Sequence, residues 1–122
     1  MVGWNLGIFL YINSMARFIH PNLNDVPLGS VLHALSDPTR LEIVRRLDKD
    51  RSVEGEGLSC SNAAPEGLPR ATMSNHFDIL RGAGLIECRK DGTRVISRLR
   101  RADLDKRFPG LFDAVLNARD AT

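Results

Sequence analysis

Cysteine is scarce in this chain: Cys60 and Cys88 are the only two thiols in 122 residues. Two cysteines build no disulfide framework, and they fit a reducing, cytoplasmic compartment better than a secreted one. Long apolar runs are missing too. The stretch at residues 6–12 is too short to span a bilayer. It also lacks the basic start and small-residue cleavage site of a signal peptide, so no membrane partner is expected. Histidines number three, and no ligand spacing ties His20, His33 and His76 to one another or to the thiols. Gly55-Glu56-Gly57 is neither followed by a Lys-Ser/Thr pair nor preceded by a strand pattern, so it is no phosphate loop. No Gly-x-Ser-x-Gly elbow occurs. These absences argue against an enzyme and leave no expected catalytic residue, metal or cofactor.

What is present is the composition of one folded domain, with 43% hydrophobic and 26% charged residues. That length buries a core without staples. The net charge of +2 conceals a segregation. Residues 1–69 carry six Lys/Arg against eight Asp/Glu, residues 70–107 ten against five, and residues 108–122 one against two. A basic block inside a nearly neutral chain suits a surface that meets a polyanion, although a solvated face has the same composition.

Residues 1–27 show no clear periodicity and hold turn-forming pairs at His20-Pro21, Asn24-Asp25 and Val26-Pro27. They are expected to be an N-terminal arm of uncertain structure, with Met15 a candidate start and Trp4, Phe9 and Tyr11 in need of apolar cover. From Leu28 the pattern turns helical through Val31, Leu32 and Leu35. Asp37-Pro38 pairs an N-cap with a first-position proline, so a second helix starts there. Leu41, Ile43, Val44 and Leu47 supply its buried side, and Arg40, Glu42, Arg45 and Arg46 face water. It fades at Asp48-Lys49-Asp50. Residues 51–69 are punctuated by Gly55, Gly57, Pro65, Gly67 and Pro69 and allow one short helix at residues 60–64.

The next helix spans residues 70–81, with Met73, Phe77 and Leu80 on one face and Gly82 and Gly84 ending it. Two extended runs, residues 85–90 and 93–99, flank Asp91-Gly92, a hairpin signal. Leu85, Val95, Ile96 and Leu99 can pack inward, while Arg89, Lys90, Arg94 and Arg98 point out. Around Pro109, Phe108, Leu111, Phe112, Val115 and Leu116 keep the helical spacing of one C-terminal amphipathic helix whose stripe exceeds what so small a core needs. A polar helix running directly into a basic hairpin is a winged helix-turn-helix order, mainly α with a small β wing. Such a helix fits a major groove, and such a hairpin follows the backbone.

Here the residues resemble a known family. Leu35-Ser36-Asp37-Pro38-Thr39-Arg40-Leu41-Glu42-Ile43-Val44-Arg45-Arg46-Leu47 is similar to the opening helix signature of the ArsR/SmtB bacterial repressors. Residues 71–86, which include Ser74-Asn75-His76-Phe77 and Ala83-Gly84-Leu85-Ile86, resemble the family's recognition helix and its run into the wing. Asp91-Gly92-Thr93-Arg94 sits where that family turns its wing. The resemblance covers about residues 28–118. It implies a homodimeric repressor on an operator palindrome, released by an inducer. Residue by residue it places DNA reading on Arg70, Thr72, Ser74, Asn75 and His76, and wing contacts on Arg89, Lys90 and Arg94. Residues 28–107 are then the DNA-binding domain and residues 108–122 a C-terminal dimerisation helix. Its interface is expected at Phe108, Leu111, Phe112, Val115 and Leu116, with the first helix beside it.

The family's usual metal ligands are absent. Where it carries a Cys-x-Cys pair, this chain reads Ser59-Cys60-Ser61, and serine is a poor ligand beside thiolate for soft metals. No histidine follows His76, and Asp113 and Asp120 read as solvated helix charges. Two alternatives stay open: a thiol switch using Cys60 and Cys88, and a winged helix that docks a protein rather than DNA.

Overall fold

The computed structural model describes residues 18–52 and 56–118. Expectations for residues 6–12 and for Trp4, Phe9, Tyr11, Met15 and Asp120 concern residues outside that range. A 3-10 turn (Leu23–Asp25) precedes helices α1 (Leu28–Leu35) and α2 (Pro38–Ser52). Strand β1 (Leu58–Ser59) leads into the short α3 (Cys60–Ala63), followed by α4 (Arg70–Gly82). Strands β2 (Ile86–Asp91) and β3 (Arg94–Leu99) come next, then α5 (Arg101–Arg107) and α6 (Leu111–Asn117).

Helix α2 begins where its capping chemistry dictates. The Asp37 carboxylate accepts the Arg40 amide at 3.0 Å, and Pro38 supplies the preset first position. That backbone hydrogen bond, helped by the Arg40 charge, holds the Asp37 carboxyl below its ordinary pKa. Ile43, Val44 and Leu47 enter the core. Arg40 departs from expectation: it is 7% exposed rather than facing water. Its Nε donates to the Ala34 carbonyl at 2.8 Å and its Nη2 to that of His33 at 3.1 Å. The end of α1 leaves those carbonyls open, and a guanidinium brought over them by the turn at Ser36-Asp37 satisfies both.

The hairpin forms as the pattern predicts, one residue out of phase at its tip. Asp91 pairs with Arg94, so the central turn residues are Gly92-Thr93 rather than Asp91-Gly92. Gly92, at φ +65°, supplies the left-handed conformation that such a turn needs. A third strand joins the hairpin. Strand β1 pairs antiparallel with β3 through Leu58↔Ser97 and Ser59↔Ile96, giving the order β1-β3-β2. Two residues carry no readable alternation, which is why this strand left no trace in the sequence pattern.

Residues 18–27, expected as part of an arm, are docked. Leu23 and Val26 are buried. Arg107 donates to the carbonyls of both, and Arg100 donates to that of Pro21 at 2.9 Å. Gly84 lies at φ +80°, and a Cβ there would run into the Leu23 side chain. The reversal after α4 therefore requires glycine both for its backbone and for this close approach.

The C-terminal region is two helices, not one. Residues 101–107 are mostly charged and bury only Arg101 and Leu104, so α5 escaped the apolar pattern. Arg101 is buried and ion-paired with Asp48 of α2, Asp105 of α5 and Asp113 of α6. Asp113 is thus exposed but paired, not a simple solvated charge. Phe108 and Phe112 sit in the same core as α1 and α2. Among the described residues, no helix is long and apolar enough to cross a membrane.

Candidate nucleic-acid interface

Helix α4 has two unlike sides. Phe77 and Leu80 are buried and Met73 is half-buried, which seats the helix on the core. Arg70, Thr72, Ser74 and Asn75 are all exposed. Pro69 precedes the helix and offers no side-chain cap, so the first-turn amides remain open to an external acceptor. These side chains offer both kinds of contact that DNA recognition needs. Guanidinium and amide groups can make bidentate contacts with base edges, and hydroxyls can donate to phosphates.

His76 stands apart from that exposed group. It is half-buried, and its Nδ1 lies 3.3 Å from Arg40 Nη1. The connection from α3 to α4 is held to α2 by Arg46, which donates to the Ala64 carbonyl at 2.9 Å while paired with Glu42. Helix α4 also packs directly on β2.

Arg89, Lys90 and Arg94 are exposed on the hairpin, as the sequence predicts. Arg94 meets Asp91 at 3.5 Å, and Arg89 donates to the Glu56 carbonyl at 3.1 Å. Exposed pairs of this kind are weak, so these cations can be redirected to phosphates at little cost. At the base of the wing, Arg98 and Glu87 lie 3.8 Å apart.

One thiol meets a buried hydroxyl: Cys88 Sγ is 3.4 Å from Ser97 Oγ. Burial pushes both thiols above their ordinary pKa. A thiol held protonated is a poor nucleophile and a poor metal ligand. Among the described residues, no group of three His, Cys, Asp or Glu side chains is placed to hold a metal. Of the interface candidates, Phe108 and Phe112 are buried within a single copy, whereas Leu111, Val115 and Leu116 are half-buried. Leu28 and Leu32 on α1 are 48% and 46% exposed. Sequence reasoning missed Arg40 and Arg101, because an arginine on a polar face reads as solvated until the fold brings carbonyls or carboxylates to it.

A profile described as a helix-turn-helix domain matches residues 35–89. YceK, an uncharacterized HTH-type transcriptional regulator of Bacillus subtilis, is 35% identical over 88 residues, which cover 71% of this chain and 84% of that relative. An ArsR-like transcriptional regulator from Rhodococcus sp. RHA1 shares the fold with a TM-score of 0.52 and 33% identity, over 66% of this chain and 71% of that one. This chain belongs to the ArsR/SmtB family. The transcriptional repressor BigR from Xylella fastidiosa is a further neighbour of this ArsR/SmtB regulator. Its TM-score is 0.56 at 27% identity, with 78% of this chain and 88% of that one covered. The protein is a DNA-binding transcriptional regulator with a winged helix-turn-helix fold, in which α3 and α4 form the helix-turn-helix and β2 and β3 the wing. Its relatives are regulators rather than enzymes.

Proposed function

We propose that this ArsR/SmtB regulator is a homodimeric repressor that reads an inverted-repeat operator and is released by an inducer other than a metal held at the family's usual sites. The observation that carries this reading is the exposed polar side of α4, where Arg70, Thr72, Ser74 and Asn75 flank an uncapped helix start beside a cationic wing. Arg70 reads guanine and Asn75 adenine in the major groove, with Thr72 and Ser74 on phosphates. Arg89, Lys90 and Arg94 bind the backbone without sequence preference. BigR is named a repressor, which supports the direction of control.

Dimerisation uses apolar residues that one copy covers only in part: half-buried Leu111, Val115 and Leu116 of the C-terminal helix, and exposed Leu28 and Leu32 of α1. A two-fold then sets the two α4 helices in successive major grooves about 34 Å apart. The raised pKa of half-buried Cys60 and of buried Cys88 weighs against the thiol switch, and the exposed donors of α4 weigh against a protein-docking wing. Selection of bound duplexes from a random library is the test. Enrichment of an inverted repeat with half-sites one helical turn apart is expected, and a pool with no enriched sequence would overturn the reading.

A further inference from the structure

Arg40 sits under the recognition helix with nearly all of its surface buried, and its hydrogen bonds divide between two elements. Nε and Nη2 close the end of α1. Nη1 points the other way, to Nδ1 of His76 on α4. A guanidinium can only donate, so Nδ1 must be the acceptor in this contact, and the imidazole N–H is then carried by Nε2. Nε2 has no partner among the described residues, yet no buried side-chain nitrogen or oxygen is left without one. His76 is itself half-buried, on the helix that carries the exposed Ser74 and Asn75.

We propose that Arg40 is a positioning residue for DNA recognition, holding His76 so that Nε2–H is presented as a donor to an acceptor on the duplex. The inference rests on the DNA-reading role of α4 stated above. Arg40 itself is buried beneath the helix and acts through the ring. The acceptor is either a phosphate oxygen or a purine N7, since both accept a single N–H. Asp37 completes the arrangement: it accepts the Arg40 amide, and that bond and the Arg40 charge hold its carboxyl below its ordinary pKa. The helix cap, the guanidinium and the imidazole thus form one chain from the start of α2 to the face of α4.

The test is a double-mutant cycle on a duplex enriched by the wild-type protein, read by fluorescence anisotropy. His76→Ala and Arg40→Met are each expected to weaken binding by about 3- to 10-fold. Arg40→Met added to His76→Ala is expected to cost little more, because its effect passes through the ring. Losses that multiply would show a purely structural Arg40 and overturn the coupling. His76→Ala leaves the bonds to α1 in place, and a nitrogen-resolved NMR spectrum of the wild-type ring needs no variant. A proton found on Nδ1 rather than Nε2 would overturn the proposal whether or not Arg40→Met folds. Methylphosphonate and 7-deazapurine substitutions in the duplex separate the two acceptors. One of them should weaken wild type and leave His76→Ala unaffected; if neither does, the contact is refuted. A wild-type protein that binds no duplex would instead overturn the DNA-reading role, a failure distinct from multiplicative losses on a duplex that it does bind.

Discussion

In the proposed reading, individual side chains divide the work of recognition by their chemistry. Arg70 opens α4 and can read a base through a bidentate contact, whereas Lys90 presents a point charge that suits a phosphate of any sequence. Arg70→Ala should therefore lose about 1–3 kcal/mol of discrimination between selected and scrambled duplex. Lys90→Ala should weaken both about equally. Competition anisotropy measures this, and equal losses on both duplexes for both variants would contradict the division. The exposed donors were legible as residues because their position on the polar side of a helix, just ahead of a basic hairpin, is written in the spacing. Arg40 was not. Periodicity assigns a polar residue to water, and nothing in the local sequence records that two carbonyls of the preceding helix and a histidine thirty-six positions later will surround it.

At the level of elements, what was legible follows from how many residues each pattern spans. Helices α2 and α4 and the hairpin repeat their pattern over enough residues to be read, and the Asp37-Pro38 cap sets the start of α2. Strand β1 is too short to alternate, and α5 buries only Leu104 and Arg101, the latter held by three carboxylates, so no apolar stripe marks it. The docked segment at residues 18–27 was equally hidden, since arginines from distant elements hold its carbonyls.

One of this segment's attachments to the wing depends on pH. The Cys88 amide, on the outer strand β2, donates to His20 Nε2 at 2.9 Å, which requires a neutral ring. Burial, then the charges of Arg100 and Arg81, lower the His20 pKa against the opposing pull of Glu87. A base whose folded pKa lies below its unfolded value binds fewer protons when folded, so this attachment is fully present above the usual histidine range. It is lost as pH falls through that range toward the folded value. Hydrogen-exchange protection of the Cys88 amide should accordingly fall as pH is lowered through and below the usual histidine range. The His20→Gln variant, which keeps an acceptor that does not titrate, should show no such fall. Protection that stays constant in wild type would contradict the role given to His20.

On the scale of the whole molecule, the fold leaves a hydrophobic surplus in the places where a second copy is expected. Phe108 and Phe112 are already used within one chain, so the proposed seam narrows to Leu111, Val115 and Leu116 together with Leu28 and Leu32 of α1. Introducing Leu28→Asp and Leu32→Asp together should yield a monomer in sedimentation and weaken operator binding at least about tenfold, because the two half-sites no longer act in concert. A variant that keeps a dimeric mass would place the seam elsewhere.

The central claim is that an exposed polar helix and a cationic wing bind duplex DNA with sequence preference. It is tested most directly by anisotropy on selected and scrambled duplexes across a salt series. Each neutralised phosphate contributes about −0.9 to the slope of log affinity against log salt, so Arg89, Lys90 and Arg94 from two copies should give a slope on the order of −5. The account predicts that slope together with tighter binding to the selected sequence at every salt concentration. A flat salt response, or identical affinity for both duplexes throughout, would contradict it.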